Sequence, residues 1–132
     1  MKTHSYLYFA KKDLQAAQTM LAHGMYDHCV RLCQQYIEKS FKEALDNNGE
    51  GEADQFLLHT HRVHRLATRC SEILKIKFTR EEKLLFRQLT HYYFDTNYPN
   101  EDYTEVTIEE AQEIMTQTLQ FQDKYEKILA GE

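Results

Sequence analysis

Long apolar runs and signal sequences are missing from this chain, and proline occurs only once, at position 99. No stretch approaches the roughly 18 apolar residues that a transmembrane helix needs. Lys11, Lys12 and Asp13 interrupt the place where a signal peptide would have its apolar segment. The three cysteines form neither an even set nor a CxxC motif, which is typical of free thiols in a reducing compartment. We therefore predict a cytoplasmic protein of one domain, residues 1–132, with no membrane association.

The signatures of several site classes are missing as well. The four glycines form no phosphate-binding loop, and no serine, cysteine or lysine lies in an activated-nucleophile motif. The pairs His61–His64 and Cys29–Cys33 have spacings at which two ligands share a helix face. No third and fourth ligand follows at a spacing typical of zinc. We predict neither a metal nor a cofactor.

Apolar residues recur at helical spacing in five segments, and no segment alternates with a period of two for long enough to predict a strand. Gly24 and the run Asn47–Gly51 separate the first three segments. The predicted helices cover residues 5–22, 27–46, 60–75, 79–97 and 107–129. The predicted fold class is therefore all-α: an up-down helical bundle of four to five helices, with the last helix laid alongside.

The ends of the last two helices carry specific local signals. Thr79–Glu82 and Thr107–Glu110 are capping boxes, in which the threonine and the glutamate each satisfy a backbone amide of the first turn. Pro99 disfavours helical geometry at the residue before it, so the fourth helix should end near Thr96 or Asn97.

Positive charge is concentrated in one segment, although the formal net charge is -5. Residues 59–80 hold six lysines and arginines against one acid, whereas residues 101–132 hold nine acids against two lysines. On the third predicted helix the apolar stripe centres on Val63, Cys70 and Leu74, and the opposite side carries His61, Arg62, Arg65 and Arg69. This face is either an ordinary solvated surface or a phosphate-binding surface, since arginine can donate two hydrogen bonds to phosphate oxygens.

A second candidate pair lies in the fourth predicted helix. Arg87 and His91 stand four residues apart and therefore share a helix face, away from the apolar residues Leu85 and Leu89. They are either a surface pair or a minimal catalytic set. In the catalytic interpretation, the arginine stabilises developing phosphoryl charge and the histidine transfers a proton during RNA cleavage through the 2′-hydroxyl.

Aromatic residues cluster where the fourth helix must stop. The segment HYYFDTNYPNEDY, residues 91–103, holds four of the nine tyrosines beside the single proline. The rings either close the end of the bundle or border a binding site.

Taken in order, these stretches resemble the HEPN family (higher eukaryotes and prokaryotes nucleotide-binding) over nearly the whole chain. Residues 9–45 resemble the family's first two helices, with Glu38, Lys39 and Lys42 in the second. The run THRVHRLA resembles the third-helix pattern, and HYYFDTNYPNEDY resembles the corner with an Arg-Tyr-Pro sequence that ends a family helix. Within this resemblance, packing at the corner is the expected role of the aromatic rings Tyr92, Tyr93, Phe94 and Tyr98.

The resemblance implies a helical bundle that often dimerises, and it implies one of three roles. Some members are ribonuclease toxins with an Arg-x4–6-His motif, some are partners of a minimal nucleotidyltransferase, and some are inactive modules that bind a nucleotide or RNA. Here Arg87-x3-His91 is one residue shorter than the motif, and Asn97 stands where the corner has arginine.

We therefore predict a non-catalytic module that binds a nucleotide or RNA, or a nucleotidyltransferase partner, as in a two-component toxin–antitoxin-like system, and a homodimer. The predicted binding residues are His61, Arg62, Arg65, Arg69, Asn97 and Tyr98. The alternative is a metal-independent endoribonuclease that uses Arg87 and His91. A third alternative is a helical interaction subunit that binds no nucleotide.

Overall fold

The computed structural model describes residues 5–49, 58–97 and 105–131, without the side chains of residues 94–97. These ranges contain five α-helices: α1 Tyr6–Ala22, α2 Tyr26–Asn47, α3 Val63–Leu74, α4 Arg80–Asn97 and α5 Ile108–Leu129. Within the same ranges there is no β-strand, which confirms the all-α prediction. None of the helices described is both long and apolar enough to cross a membrane.

The first two helices form an antiparallel pair because a tight turn joins them. Gly24 has a φ of +77°, a left-handed conformation that glycine adopts without steric cost. At the far end of the pair, the backbone amide of Leu7 donates to Glu43 at 2.8 Å. Ala10 and Ala17 are fully buried between the helices, and their small side chains allow the two backbones to approach closely.

Helix α2 is the centre of the bundle, since α1, α3, α4 and α5 all pack against it. Phe41 is fully buried and meets the rings of Phe86 and Phe121 edge to face, with both centroids at 5.4 Å. Such aromatic pairs contribute about 0.5–1.5 kcal/mol each beyond their buried area. This aromatic cluster fixes α4 and α5 relative to α2.

Both predicted capping boxes are confirmed. The Thr107 hydroxyl accepts from the Glu110 amide at 3.1 Å, and the Glu110 carboxylate accepts from the Thr107 amide. Before α4, the Glu82 amide donates to the Thr79 hydroxyl at 3.1 Å, and the Thr79 amide donates to the Glu82 carboxylate at 2.7 Å.

Helix α3 begins three residues later than the sequence predicts. The hydroxyl of Thr60 accepts from the backbone amide of Arg62 at 3.1 Å, so the chain makes a local turn there instead of a helical one. As a result His61 and Arg62 precede the helix, and only Arg65 and Arg69 lie on it.

The cysteines are free, as predicted, and all three are buried. Cys33 and Cys70 lie in the core, and Cys29, one turn before Cys33, is also fully buried. The Cys70 thiol donates to the backbone carbonyl of Phe41 at 3.7 Å. Burial raises the pKa of Cys70 to about 12.

Candidate functional site

The start of α3 is held against the middle of α4 by one threonine. The hydroxyl of Thr90 accepts from the backbone amide of Val63 at 3.1 Å and donates to the backbone carbonyl of Phe86 at 2.9 Å. Thr90 is buried, so both bonds are shielded from water. The contact places the cationic residues of α3 beside those of α4.

His64 lies at the junction of the two helices. Its Nδ1 is 3.4 Å from the Thr90 hydroxyl oxygen. A threonine hydroxyl has one proton and two lone pairs, and the Thr90 proton is already donated to Phe86. The second lone pair is then left for His64, whose Nδ1 must carry the proton. We therefore assign the tautomer in which Nε2 is a hydrogen-bond acceptor.

Three arginines act on His64. Burial lowers the pKa of His64, and the positive charges of Arg62, Arg87 and Arg65 lower it further. Like charges disfavour the protonated imidazole, so His64 is neutral at pH 7. The charges of these three arginines therefore act on the same imidazole.

The structure separates the four predicted residues of the α3 surface. Arg62 and Arg65 are exposed near His64. Arg69 instead forms an ion pair with Glu72, its Nη1 lying 2.7 Å from the carboxylate. Arg87, predicted as a catalytic candidate, lowers the pKa of His64 together with Arg62 and Arg65. We name the surface formed by Arg62, His64, Arg65 and Arg87 the α3–α4 cationic surface.

His61 is tied to a buried carboxylate that the sequence did not connect with it. Its Nδ1 is 3.1 Å from Glu38, which is only 5% exposed. The same carboxylate accepts from Lys42 at 3.0 Å and from Gln34 at 2.8 Å. The imidazole also stacks on Tyr93, with ring centroids 4.6 Å apart. His61 is therefore oriented from both sides, while about half of its side chain stays exposed.

A cleft of about 310 Å³ runs between α3 and α4. Phe78, Phe86 and Ala67 give it an apolar floor. Its polar lining comes from α3 on one side and α4 on the other: His64, Thr68, Ser71, Glu72, Lys83 and Arg87. The cleft adjoins the α3–α4 cationic surface, with which it shares His64 and Arg87.

The catalytic candidates share a helix face, as their spacing predicts. Arg87 and His91 are both exposed on α4. Arg87 also lines one cleft with His64, and its positive charge lowers the pKa of His64. The α3–α4 cationic surface therefore includes Arg87 through its effect on His64.

Two aromatic residues near the end of α4 have different roles: Tyr92 contacts α5, and Tyr93 borders the candidate site. The Tyr92 hydroxyl donates to Glu110, and burial together with this carboxylate raises the pKa of Tyr92 to about 12. Tyr93 instead stacks on His61 and borders the candidate site. Asn97 is the last residue of α4, but its side chain lies outside the described residues, as do the side chain of Phe94 and all of Tyr98.

Metal ligands do not gather in the part of the chain that the structure describes. No group of three or more His, Cys, Asp or Glu side chains there is arranged to hold an ion.

Comparison with known proteins identifies one matching family. The family model described as the HEPN domain matches residues 3–128, which is nearly the whole chain. No curated protein matches the chain, and no solved structure does.

Proposed function

Because the chain belongs to the HEPN domain family, we propose that it is a non-catalytic module that binds a nucleotide or RNA through the α3–α4 cationic surface. The observation that carries the proposal is that Lys83, Arg87 and His64 line one cleft between α3 and α4. The positive charges of Arg62 and Arg65 also act on His64. Like charges repel one another, so this concentration of positive charge favours the binding of an anion. A phosphate group offsets this repulsion, and each guanidinium can donate two hydrogen bonds to it.

Local charge supports the same surface. The chain as a whole is acidic, and in the described part α5 exposes Glu109, Glu113 and Glu126. At physiological salt, exposed charges interact over about 8 Å. Negative charge on α5 therefore repels a polyanion that approaches from the α5 side. We expect RNA to approach the α3–α4 side only.

A binding role is favoured over cleavage for a chemical reason. Cleavage through the 2′-hydroxyl needs a base and an acid near one phosphate. The cationic surface supplies a neutral histidine at position 64, which can accept a proton but has none to give from Nε2. His91 belongs to an Arg-x3-His spacing that is shorter than the Arg-x4–6-His of the ribonuclease members.

The role of partners is part of the proposal. We infer a homodimer, and we infer that a minimal nucleotidyltransferase is the partner in a two-component, toxin–antitoxin-like system. Light scattering of the purified chain measures the first, with a dimer mass expected. Co-purification with the product of a neighbouring nucleotidyltransferase gene measures the second, and a monomer that retains no such protein would contradict both inferences.

Charge reversal tests the binding surface. Arg65→Glu and Arg87→Glu should each weaken binding of a single-stranded RNA oligomer about tenfold or more at fixed ionic strength, because each loses a phosphate contact and adds repulsion. Lys127→Glu is the matched control, since it makes the same charge change at an exposed position of α5. Equal effects of all three variants would show that only net charge matters and would refute the proposed surface.

A further inference from the structure

The α3 side of the cleft offers hydrogen-bond acceptors. The Thr68 hydroxyl donates its proton to the backbone carbonyl of His64 at 3.0 Å. The Ser71 hydroxyl donates its proton to the backbone carbonyl of Ile76 at 2.7 Å. A hydroxyl has a single proton, so what these two groups retain for a ligand is lone pairs.

Two further groups of the same side are also acceptors. An ionised Glu72 accepts only, and one of its carboxylate oxygens is engaged by Arg69. In the tautomer assigned above, with the Nδ1 proton facing Thr90, the neutral His64 presents Nε2 as an acceptor. All four polar side chains that α3 contributes to the cleft therefore accept hydrogen bonds.

The α4 side of the cleft has the opposite character. Lys83 and Arg87 are exposed cations with protons to donate and no lone pair to offer. Between the two sides lie Phe78 and Phe86, whose rings meet edge to face at 5.1 Å. The cleft therefore has donors on one side, acceptors on the other and an apolar aromatic floor.

We infer that this cleft selects a nucleotide whose base carries an amino group at position 6 of a purine or position 4 of a pyrimidine, as in adenine and cytosine. A base with a carbonyl at that position is bound more weakly. The amino group donates to the α3 acceptors, the base lies on the aromatic floor, and the phosphate contacts Lys83 and Arg87. A carbonyl would place its lone pairs against the lone pairs of Thr68, Ser71 or Glu72. Hypoxanthine or uracil would then offer these acceptors only its single ring N–H, in place of the two protons of an amino group. The inference rests on the proposed function, since it names the class of nucleotide that the same surface binds.

The size of the cleft fits one nucleotide. Ligand-binding clefts have volumes of about 300–1,000 Å³, and this cleft, at about 310 Å³, is at the lower end. A base within a duplex has its amino group paired, and it would have to leave the stack to enter. The ligand is therefore an unpaired nucleotide, either free or at the end of an RNA strand.

Matched nucleotides test the selection. AMP and IMP differ at the amino position of the purine, and CMP and UMP differ at the equivalent position of the pyrimidine. We expect calorimetry to give AMP an affinity about fivefold to tenfold higher than that of IMP, and CMP a similar advantage over UMP. The difference corresponds to one hydrogen bond, which the amino group makes to an α3 acceptor and the carbonyl cannot make. Equal affinities within each pair, or a preference for IMP and UMP, would overturn the inference.

Glu72→Gln tests which residue distinguishes the amino group of the base from a carbonyl. Glutamine has nearly the same shape but can donate as well as accept, so the AMP-to-IMP affinity ratio should fall towards one. The ratio cancels the general gain in phosphate affinity that follows from removing a negative charge. Glu113→Gln makes the same change on exposed α5 and should leave the ratio unaltered. An unchanged ratio in both Glu72→Gln and Thr68→Val would contradict the assignment of the selection to α3.

The same titrations separate failure of the inference from failure of the proposed function. If all four mononucleotides bind equally and Arg87→Glu weakens their binding about tenfold or more, the surface is correct and the selection is wrong. If neither the mononucleotides nor short oligoadenylate binds, the proposed function and the inference both fall.

Comparison of AMP with 5′-phosphorylated oligoadenylate and oligoinosinate distinguishes the source of the ligand. A higher affinity of oligoadenylate than of both AMP and oligoinosinate supports selection at an RNA end, and equal affinities of AMP and oligoadenylate support selection of a free nucleotide.

Discussion

The buried ion pair between Glu38 and Lys42 makes the stability of the bundle sensitive to a single uncharged substitution. Its atoms lie 3.0 Å apart, with 7% and 6% of the respective side chains exposed. Glu38→Gln keeps the size of the side chain but leaves the Lys42 ammonium without a carboxylate. Removing one partner of a buried pair typically costs about 3–5 kcal/mol, because the remaining charge is neither solvated nor paired. A domain has about 5–15 kcal/mol of stability in total, so we expect a large loss.

Urea unfolding followed by circular dichroism measures this loss, and two further variants interpret it. Glu38→Gln/Lys42→Met removes the unpaired ammonium and should recover at least half of the lost free energy of unfolding. Glu72→Gln breaks the exposed pair with Arg69 and should cost no more than about 1 kcal/mol. A Glu38→Gln variant within about 1 kcal/mol of the wild type would refute the view that this carboxylate is a buried structural charge.

The other predictions concern pH, thiol reactivity and catalysis. The native pKa of His64 is lowered from 6.5. Between these two pKa values the unfolded state binds a proton at His64 that the native state does not bind. The free energy of unfolding should therefore fall as pH decreases from about 6.5 to the native pKa, and His64→Gln should reduce that slope. A thiol reagent should modify Cys29, Cys33 and Cys70 slowly in the native protein and rapidly in urea, because all three are fully buried; fast native reaction of any one would contradict its burial. Purified protein should not cleave single-stranded RNA without metal, and cleavage that His91→Ala removes from a folded protein would establish the endoribonuclease alternative.

The helices could be predicted from the sequence because their signals are local. Thr79–Glu82 and Thr107–Glu110 each satisfy the amides of their own first turn, and the pattern within four residues is sufficient to place a helix start. The start of α3 was wrong by three residues for an equally local reason. Thr60 binds the Arg62 amide in a turn that competes with the helix.

The site could be predicted only in part, because its geometry depends on contacts between helices. Arg62 and Arg65 were identified from the basic composition of one segment. The link between His64 and Thr90 spans 26 residues, and that between His61 and Glu38 spans 23. Such contacts follow from tertiary packing and leave no periodic signal in the sequence. The spacing on α4 pairs Arg87 with His91, whereas the cleft that Arg87 shares with His64 depends on the packing of α3 against α4.

Chemical-shift mapping of AMP binding tests the central claim most directly, because it locates the ligand without any substitution. The backbone amides of residues 62–72 and 83–91 belong to the two segments that carry most of the cleft-lining residues and the α3–α4 cationic surface. We expect their resonances to shift in a saturable manner on addition of AMP, while resonances of α1 and the exposed face of α5 remain unchanged. Saturable shifts confined to α1 or α5, or no shifts at all with AMP or short oligoadenylate, would contradict the account.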